Sequence, residues 1–256
     1  MQKETVKFVN SNLFEGMPSI SALIKGIEAQ KNDRKILKIL FDADKLRTKQ
    51  GEFNFLQKKS KELDFFIETV SREEIDRITV GNTHGGIVAE CTDRNLPMLS
   101  EVDILPNGVY FILEGVEDPY NFGYAIRSLY AAGVDGLILG ARNWMGAAGV
   151  VARSSAGTSE LMRLFTCEAT EAIDLFHKRG YSVICAGIRD SESLFDTDLK
   201  KPLLVILGGE KRGISRNILN LADRIVRIDY GSSFGGSLST SAAAAVFAFE
   251  ILRANR

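Results

Sequence analysis

From Val109 onward the sequence alternates apolar runs of strand length with stretches of helix length, and few architectures accept that pattern. The runs Val109–Gly115, Gly136–Gly140, Tyr181–Gly187 and Leu203–Gly208 are apolar almost throughout rather than at every second residue. A strand that is apolar on both sides is buried on both sides, the condition of a parallel sheet between helical layers. Shorter strands are predicted at Leu161–Phe165 and Arg224–Tyr230. Helices are predicted over Asn121–Ala132, Met145–Arg153, Glu168–Arg179, Ser215–Leu221 and from about Leu238 to Ala254, with Gly180 ending the third. In such a sheet ligands bind outside the carboxyl ends of the strands. The loops Glu114–Asn121, Gly208–Gly213 and Gly231–Ser237 are therefore where function is expected.

The preceding hundred residues read as a separate, smaller α/β unit. Ile20, Leu23, Ile24 and Ile27 fall at helical spacing behind Ser19, and Gly51–Leu63 is a second helix. Strands are expected at Lys35–Phe41, Asp64–Val70 and Gly86–Cys91, and Ser71–Glu74 has the capping-box pattern of a short third helix. Pro97, Pro106, Asn107 and Gly108 mark a linker. The reading is thus a domain over 1–95, a linker over 96–107 and a second domain over 108–256.

The formal net charge of −1 over 256 residues argues against the basic balance usual in nucleic-acid binders. That average hides a basic region. Between Lys31 and Lys61 ten Lys and Arg face four acids, whereas residues 101–256 carry 16 basic and 18 acidic side chains. The basic stretch is either a solvated helix face or a surface for phosphate backbone. If the latter, Lys58, Lys59 and Lys61 are expected to carry part of the affinity for that backbone. The longest apolar run, Ala242–Phe249, is far short of the roughly 20 residues that span a bilayer, and the charged N-terminus has no leader pattern. Cys91, Cys167 and Cys185 are widely spaced, as expected of free thiols in a cytoplasmic protein.

Each of the three loops is ambiguous alone. In Glu117–Arg127, Asn121 stands where a helix cap is wanted and Arg127 lies further along the helix; a cap and a surface ion pair would explain both. Gly208-Gly-Glu-Lys-Arg-Gly213 is a glycine-rich turn from strand to helix, but it is neither a Walker loop nor a dinucleotide fingerprint, and Glu210 would repel a phosphate. Gly231–Ser241 packs glycines and hydroxyls before an alanine-rich helix, small enough to lie flush against another element or a second subunit.

Together these stretches resemble the three motifs of the SpoU/TrmH family of RNA ribose 2′-O-methyltransferases. Asn121, Gly123 and Arg127 match Asn-x-Gly-x-x-x-Arg; Gly208, Glu210 and Gly213 match Gly-x-Glu-x-x-Gly; Ser237-Leu-Ser-Thr-Ser241 matches Ser-Leu-Asn-x-Ser in part. Arg153–Gly157 resembles a family segment between the first two motifs, and the likeness covers about residues 109–254. Gly16–Leu23 and Thr83–Ala89 resemble the start and end of the small ribosomal-protein-like RNA-binding domain that often precedes this catalytic domain. His84 there is read as part of that signature, without a catalytic role.

The resemblance implies an α/β sheet whose C-terminal part is threaded into a deep trefoil knot, a rarity that no pattern rule predicts. It implies S-adenosylmethionine as cofactor, held by backbone around Gly208, Gly209, Ile228 and Leu238, with no metal. It implies a homodimer and an RNA substrate, ribosomal RNA before transfer RNA. Arg127 would contact the target phosphate and stabilise the developing alkoxide, Glu210 would orient Arg127 or the third loop, Asn121 would hold the first loop, and Ser237 and Ser239 would lie near substrate and cofactor. The chain departs from the pattern at Ser239, where the family has Asn, and at Ile228-Asp-Tyr230, where it has Ile-Pro-Met. The competing expectation is a non-catalytic RNA-binding or ribosome-assembly protein that retains the fold.

Overall fold

The computed structural model describes residues 12–79, 84–140, 147–209 and 212–256. They form two compact units. One comprises the described residues through Asn95 together with 147–161, and the other comprises 96–140 and 162–256.

The first unit begins with strand β1 (Leu13–Glu15) and helix α1 (Gly16–Glu28), which buries Ile20, Leu23 and Ile24. Strand β2 (Ile36–Asp42) follows, then α2 (Gln50–Leu63), β3 (Phe66–Val70), α3 (Arg72–Ile78) and β4 (Ile87–Cys91). The sheet order is β1-β4-β2-β3, with β2 and β3 parallel and β4 antiparallel to both its neighbours. The capping box on α3 is formed: Ser71 Oγ accepts from Glu74 N–H, and Glu74 accepts from Ser71 N–H. His84 is buried, its Nδ1 accepting from Gly86 N–H and its Nε2 lying 2.8 Å from Asp76, the position of a turn histidine.

Residues 147–161, within the stretch assigned from the sequence to 108–256, pack with this unit. They form helix α5 (Ala148–Ser154) and a 3-10 turn over Thr158–Glu160. Ala148 and Ala152 join the core of Phe14, Ile24, Ile39 and Phe41. Gly157 takes φ +84, and a Cβ there would sit 2.3 Å from Ala22 Cβ, so only glycine admits α1 so closely. A buried ion pair completes the join: Arg34 Nε donates to Glu160 at 3.0 Å while Arg34 Nη1 reaches Thr92 O.

The second unit holds β5 (Val109–Glu114), α4 (Pro119–Ala131), β6 (Gly136–Leu139), β7 (Leu164–Thr166), α6 (Ala169–Lys178), β8 (Ser182–Ala186), β9 (Glu192–Ser193), β10 (Leu203–Gly208), α7 (Arg216–Leu221), β11 (Arg224–Arg227) and α8 (Thr240–Ala254). Its sheet runs β7-β6-β5-β10-β8-β11-β9 and every pairing is parallel, as the continuous apolar runs require. From β5 the chain steps outward to β6 on one side, whereas from β10 it proceeds to β11 on the other. β5 and β10 stay paired to their carboxyl ends, at Glu114 and Gly208.

The structure corrects some boundaries. Helix α4 is capped by Asp118, whose side chain accepts from Tyr120 N–H, with Pro119 in its first turn; Asn121 is inside the helix, not its cap. Strand β11 ends at Arg227, and α8 starts after Ser239. The short strands β1 and β9 carry too few residues to show a period in the sequence.

Candidate active site

The junction of the β5 and β10 ends is closed by backbone. Gly209 N–H donates to Glu114 O, and Gly213 N–H donates to Gly209 O. A Cβ at Gly209 would lie 2.1 Å from Gly115 O, and one at Gly208 would lie 2.6 Å from the Gly213 carbonyl carbon. Neither position accepts a side chain. Thr240 Oγ1, at the start of α8, donates to Gly208 O at 2.9 Å. All three sequence-selected loops therefore meet at the end of β10.

Beside this junction lies a cavity of ≈ 690 Å³, within the range of about 300–1,000 Å³ typical of small-molecule sites. Its walls come from the ends of β8, β10 and β11, the loop before α8 and the first turns of α8. Gly208, Gly209, Ile228 and Leu238, the four residues expected to hold the cofactor, all line it. Ser237 lines it as well. Ser239, Asn121 and Arg127 do not. Asn121 is half-buried in the first turn of α4, and Arg127 is exposed on that helix, rather than buried at the chemistry. Glu210 lies outside the described residues.

Ser239 has a different duty. It is the N-cap of α8, its Oγ accepting from Ala242 N–H at 3.2 Å and lying 3.0 Å from Ser241 Oγ. Asn and Ser are equally good caps, so the serine where the motif has asparagine preserves the helix start.

The family model for the SpoU rRNA Methylase family matches residues 108–249, and a second model, for RNA 2'-O ribose methyltransferase substrate binding, matches residues 27–97. The chain belongs to the SpoU rRNA methylase family. It is 33% identical over 211 residues to the 23S rRNA (guanosine-2'-O-)-methyltransferase RlmB of Shewanella oneidensis, covering 78% of this chain and 83% of that one. It is 30% identical over 188 residues to RlmB of Pseudomonas aeruginosa, covering 71% of this chain and 75% of the relative. The fold is that of an AdoMet-bound rRNA methyltransferase from Sinorhizobium meliloti, at TM-score 0.77 and 21% identity over 94% of this chain and 86% of that one.

Against the family pattern, the third loop shows what the sequence did not disclose. Tyr230 Oη accepts from Leu238 N–H at 3.1 Å, and the Tyr230 and Phe234 ring centroids are 5.7 Å apart. Phe234 lies so close over Gly236 that a Cβ there would be 2.6 Å from the ring. An aromatic clasp thus shapes the outer wall of the cavity of this SpoU chain. Two aromatics in a Gly/Ser loop were the available signal. Asp229 is tied by the Ser193 hydroxyl and by Arg227, 2.8 Å away, which together hold its carboxyl below the usual range. Arg227 also donates to Ser191 O, so the charge that the sequence set beside the cofactor loop is already compensated. Glu114, at the end of β5, is half-buried; burial and the neighbouring Glu168 push its carboxyl up. Among the described residues no group of three or more His, Cys, Asp or Glu is placed to hold a metal ion, and no helix is long and apolar enough to cross a membrane.

Proposed function

We propose that this chain transfers a methyl group from S-adenosylmethionine to a ribose 2′-hydroxyl of ribosomal RNA. The observation that carries the reading is the cavity at the ends of β8, β10 and β11, walled by the four residues expected to hold the cofactor, among them two glycines at which no side chain fits. The two glycines let the backbone of neighbouring loops close on the end of β10, and the apolar walls of the cavity suit the faces of a purine. The relatives named RlmB, described as 23S rRNA guanosine-2'-O-methyltransferases, support ribosomal RNA as the substrate.

When bound, the cofactor supplies an electrophilic methyl group on a positively charged sulfur. The chain's own tasks are to align the hydroxyl oxygen with that methyl and to ease the loss of one proton. Arg127 serves as a stabiliser of the phosphate and of the developing alkoxide rather than as the proton acceptor, since a guanidinium is a poor base. The hydroxyl proton would leave to a substrate phosphate oxygen or to water. Glu210 orients Arg127 or the third loop, Asn121 fixes the first loop, and Ser237 lies on the cavity wall.

The active form in this reading is a knotted homodimer. The exposed Tyr120 and Tyr124 of α4 and Phe249 of α8, on two helices that pack together, support such an interface. They also account for Arg127 being exposed in a single chain, since a partner would enclose it. The three unpaired cysteines suit a reducing, cytoplasmic setting.

The test is calorimetry with S-adenosylhomocysteine alongside transfer of labelled methyl to unmodified ribosomal RNA. Arg127→Ala is expected to abolish transfer and leave cofactor affinity within a few-fold. Loss of cofactor affinity in that variant would make Arg127 a structural residue. Wild-type protein that binds RNA but no cofactor would overturn the enzymatic reading.

A further inference from the structure

The ten basic residues between Lys31 and Lys61 are not equivalent once folded. Arg34 is buried against Glu160, and Lys38 faces Glu90 at 3.4 Å. On α2, Lys58 pairs with Glu62 at 3.8 Å, and Lys59 is held between Glu28 at 2.5 Å and Glu62 at 2.6 Å. A cation already matched by carboxylates offers little net field to a polyanion. Of the three lysines that the sequence marks as an RNA surface, Lys58 and Lys59 are neutralised, and Lys61 alone has no ion pair among the described residues.

The uncompensated charge lies elsewhere. Lys45, Arg47 and Lys49 follow one another on the connection from β2 to α2, and among the described residues none of them has an ion-pair partner. The one acid within that turn is the exposed Asp44. The turn is anchored by the buried Asp42, whose Oδ1 accepts from Asp44 N–H and whose own N–H donates to Gly86 O. Opposite it stand Gly85 and Gly86, at φ +63 and +81. A Cβ at Gly85 would be 3.1 Å from Lys49 Nζ, and one at Gly86 would be 2.8 Å from Asp42 Cβ and 3.1 Å from both Asp42 Oδ2 and Lys45 Cγ. Both lysines are thus drawn across a turn made of two glycines, which His84 holds through Gly86 N–H. The result is a fixed glycine turn, with the buried Asp42 beside it, under three cations, Lys45, Arg47 and Lys49, that outnumber the two acids, Asp42 and Asp44. A phosphate backbone requires both features, since charge draws it in and the absence of side chains lets it approach.

We propose that the turn 43–49, over Gly85–Gly86, is the surface on which this unit grips the phosphate backbone of its RNA, and that the Lys58–Lys59 flank of α2 is not. The assignment rests on RNA being the substrate, as argued above.

The experiment measures the affinity of the full-length protein for unmodified ribosomal RNA transcribed in vitro, as a function of KCl concentration. Three phosphate contacts account for about 2 to 3 units of the slope of log affinity against log salt. The triple variant Lys45→Gln, Arg47→Gln, Lys49→Gln is expected to lose that much slope and at least about tenfold in affinity at moderate salt. The matched variant Lys58→Gln, Lys59→Gln, Lys61→Gln is expected to change the slope by less than about one unit. Lys45→Arg with Lys49→Arg, which keeps the charge, should restore wild-type slope, and cofactor affinity by calorimetry should be unchanged throughout. Slope carried by the 58–61 set, or an unchanged slope in the 45–49 set while RNA still binds, overturns the assignment alone. Wild-type protein with no salt-dependent RNA binding overturns the RNA reading as well.

Discussion

Ser239 shows how one side chain can satisfy a motif and depart from it. The sequence comparison sees a missing asparagine; the structure sees a cap whose Oγ accepts from Ala242 N–H. Ser239→Ala is expected to cost about 1 kcal/mol of stability, while Ser239→Asn should be close to neutral. Urea denaturation of both variants checks this, and equal loss in the two would show that the hydroxyl does more than cap. The four residues that the family resemblance names for the cofactor, Gly208, Gly209, Ile228 and Leu238, line one cavity; the glycine-rich loops after strands were legible without it. The clasp of Tyr230 and Phe234 was not legible. Their partners, Leu238 N–H and the bare face of Gly236, lie up to eight residues away in a loop with no period to read.

At the scale of elements, helix and strand types follow from periodicity, and four of the parallel strands of the large sheet, β5, β6, β8 and β10, follow from unbroken apolar runs. Ends are decided by single side chains. The cap of α4 moved from Asn121 to Asp118 because Pro119 fits the first helical turn and has no amide hydrogen to satisfy there. The element least expected is 147–161, held to α1 and β2 by the contact of Gly157 with Ala22 and by the pair Arg34–Glu160, 1% and 3% exposed. A charge left alone at such a site is expensive. Glu160→Gln is expected to destabilise the fold by about 3 kcal/mol or more, and the double change Arg34→Met with Glu160→Leu by less than that single one. Denaturation midpoints at constant slope decide between this and a pair that contributes nothing.

For the whole molecule, the basic excess at the N-terminal end and the slightly acidic remainder explain how a chain of net charge −1 still serves a polyanionic substrate. The division of labour is less tidy than the sequence suggests. A fragment of residues 1–95 lacks Ala148 and Ala152 from its core and leaves Arg34 buried without Glu160. It is expected to lack fixed tertiary packing, with near-UV circular dichroism and amide dispersion well below those of the full chain. A 1–95 fragment as well ordered as the full chain would show that 147–161 is dispensable to it.

By itself the sequence determined the two kinds of sheet-forming segment, the three loops at the strand ends and the family to which they belong, because these are local patterns of apolar spacing, glycine and short motifs. Tertiary structure alone decided which glycines meet across loops, which lysines are silenced by carboxylates and which stay free, and where residues 147–161 pack. Those outcomes depend on side chains brought together from distant parts of the chain, 126 residues apart for Arg34 and Glu160. No local period records such a meeting, since it is the folded chain's burial of charge and backbone that selects it.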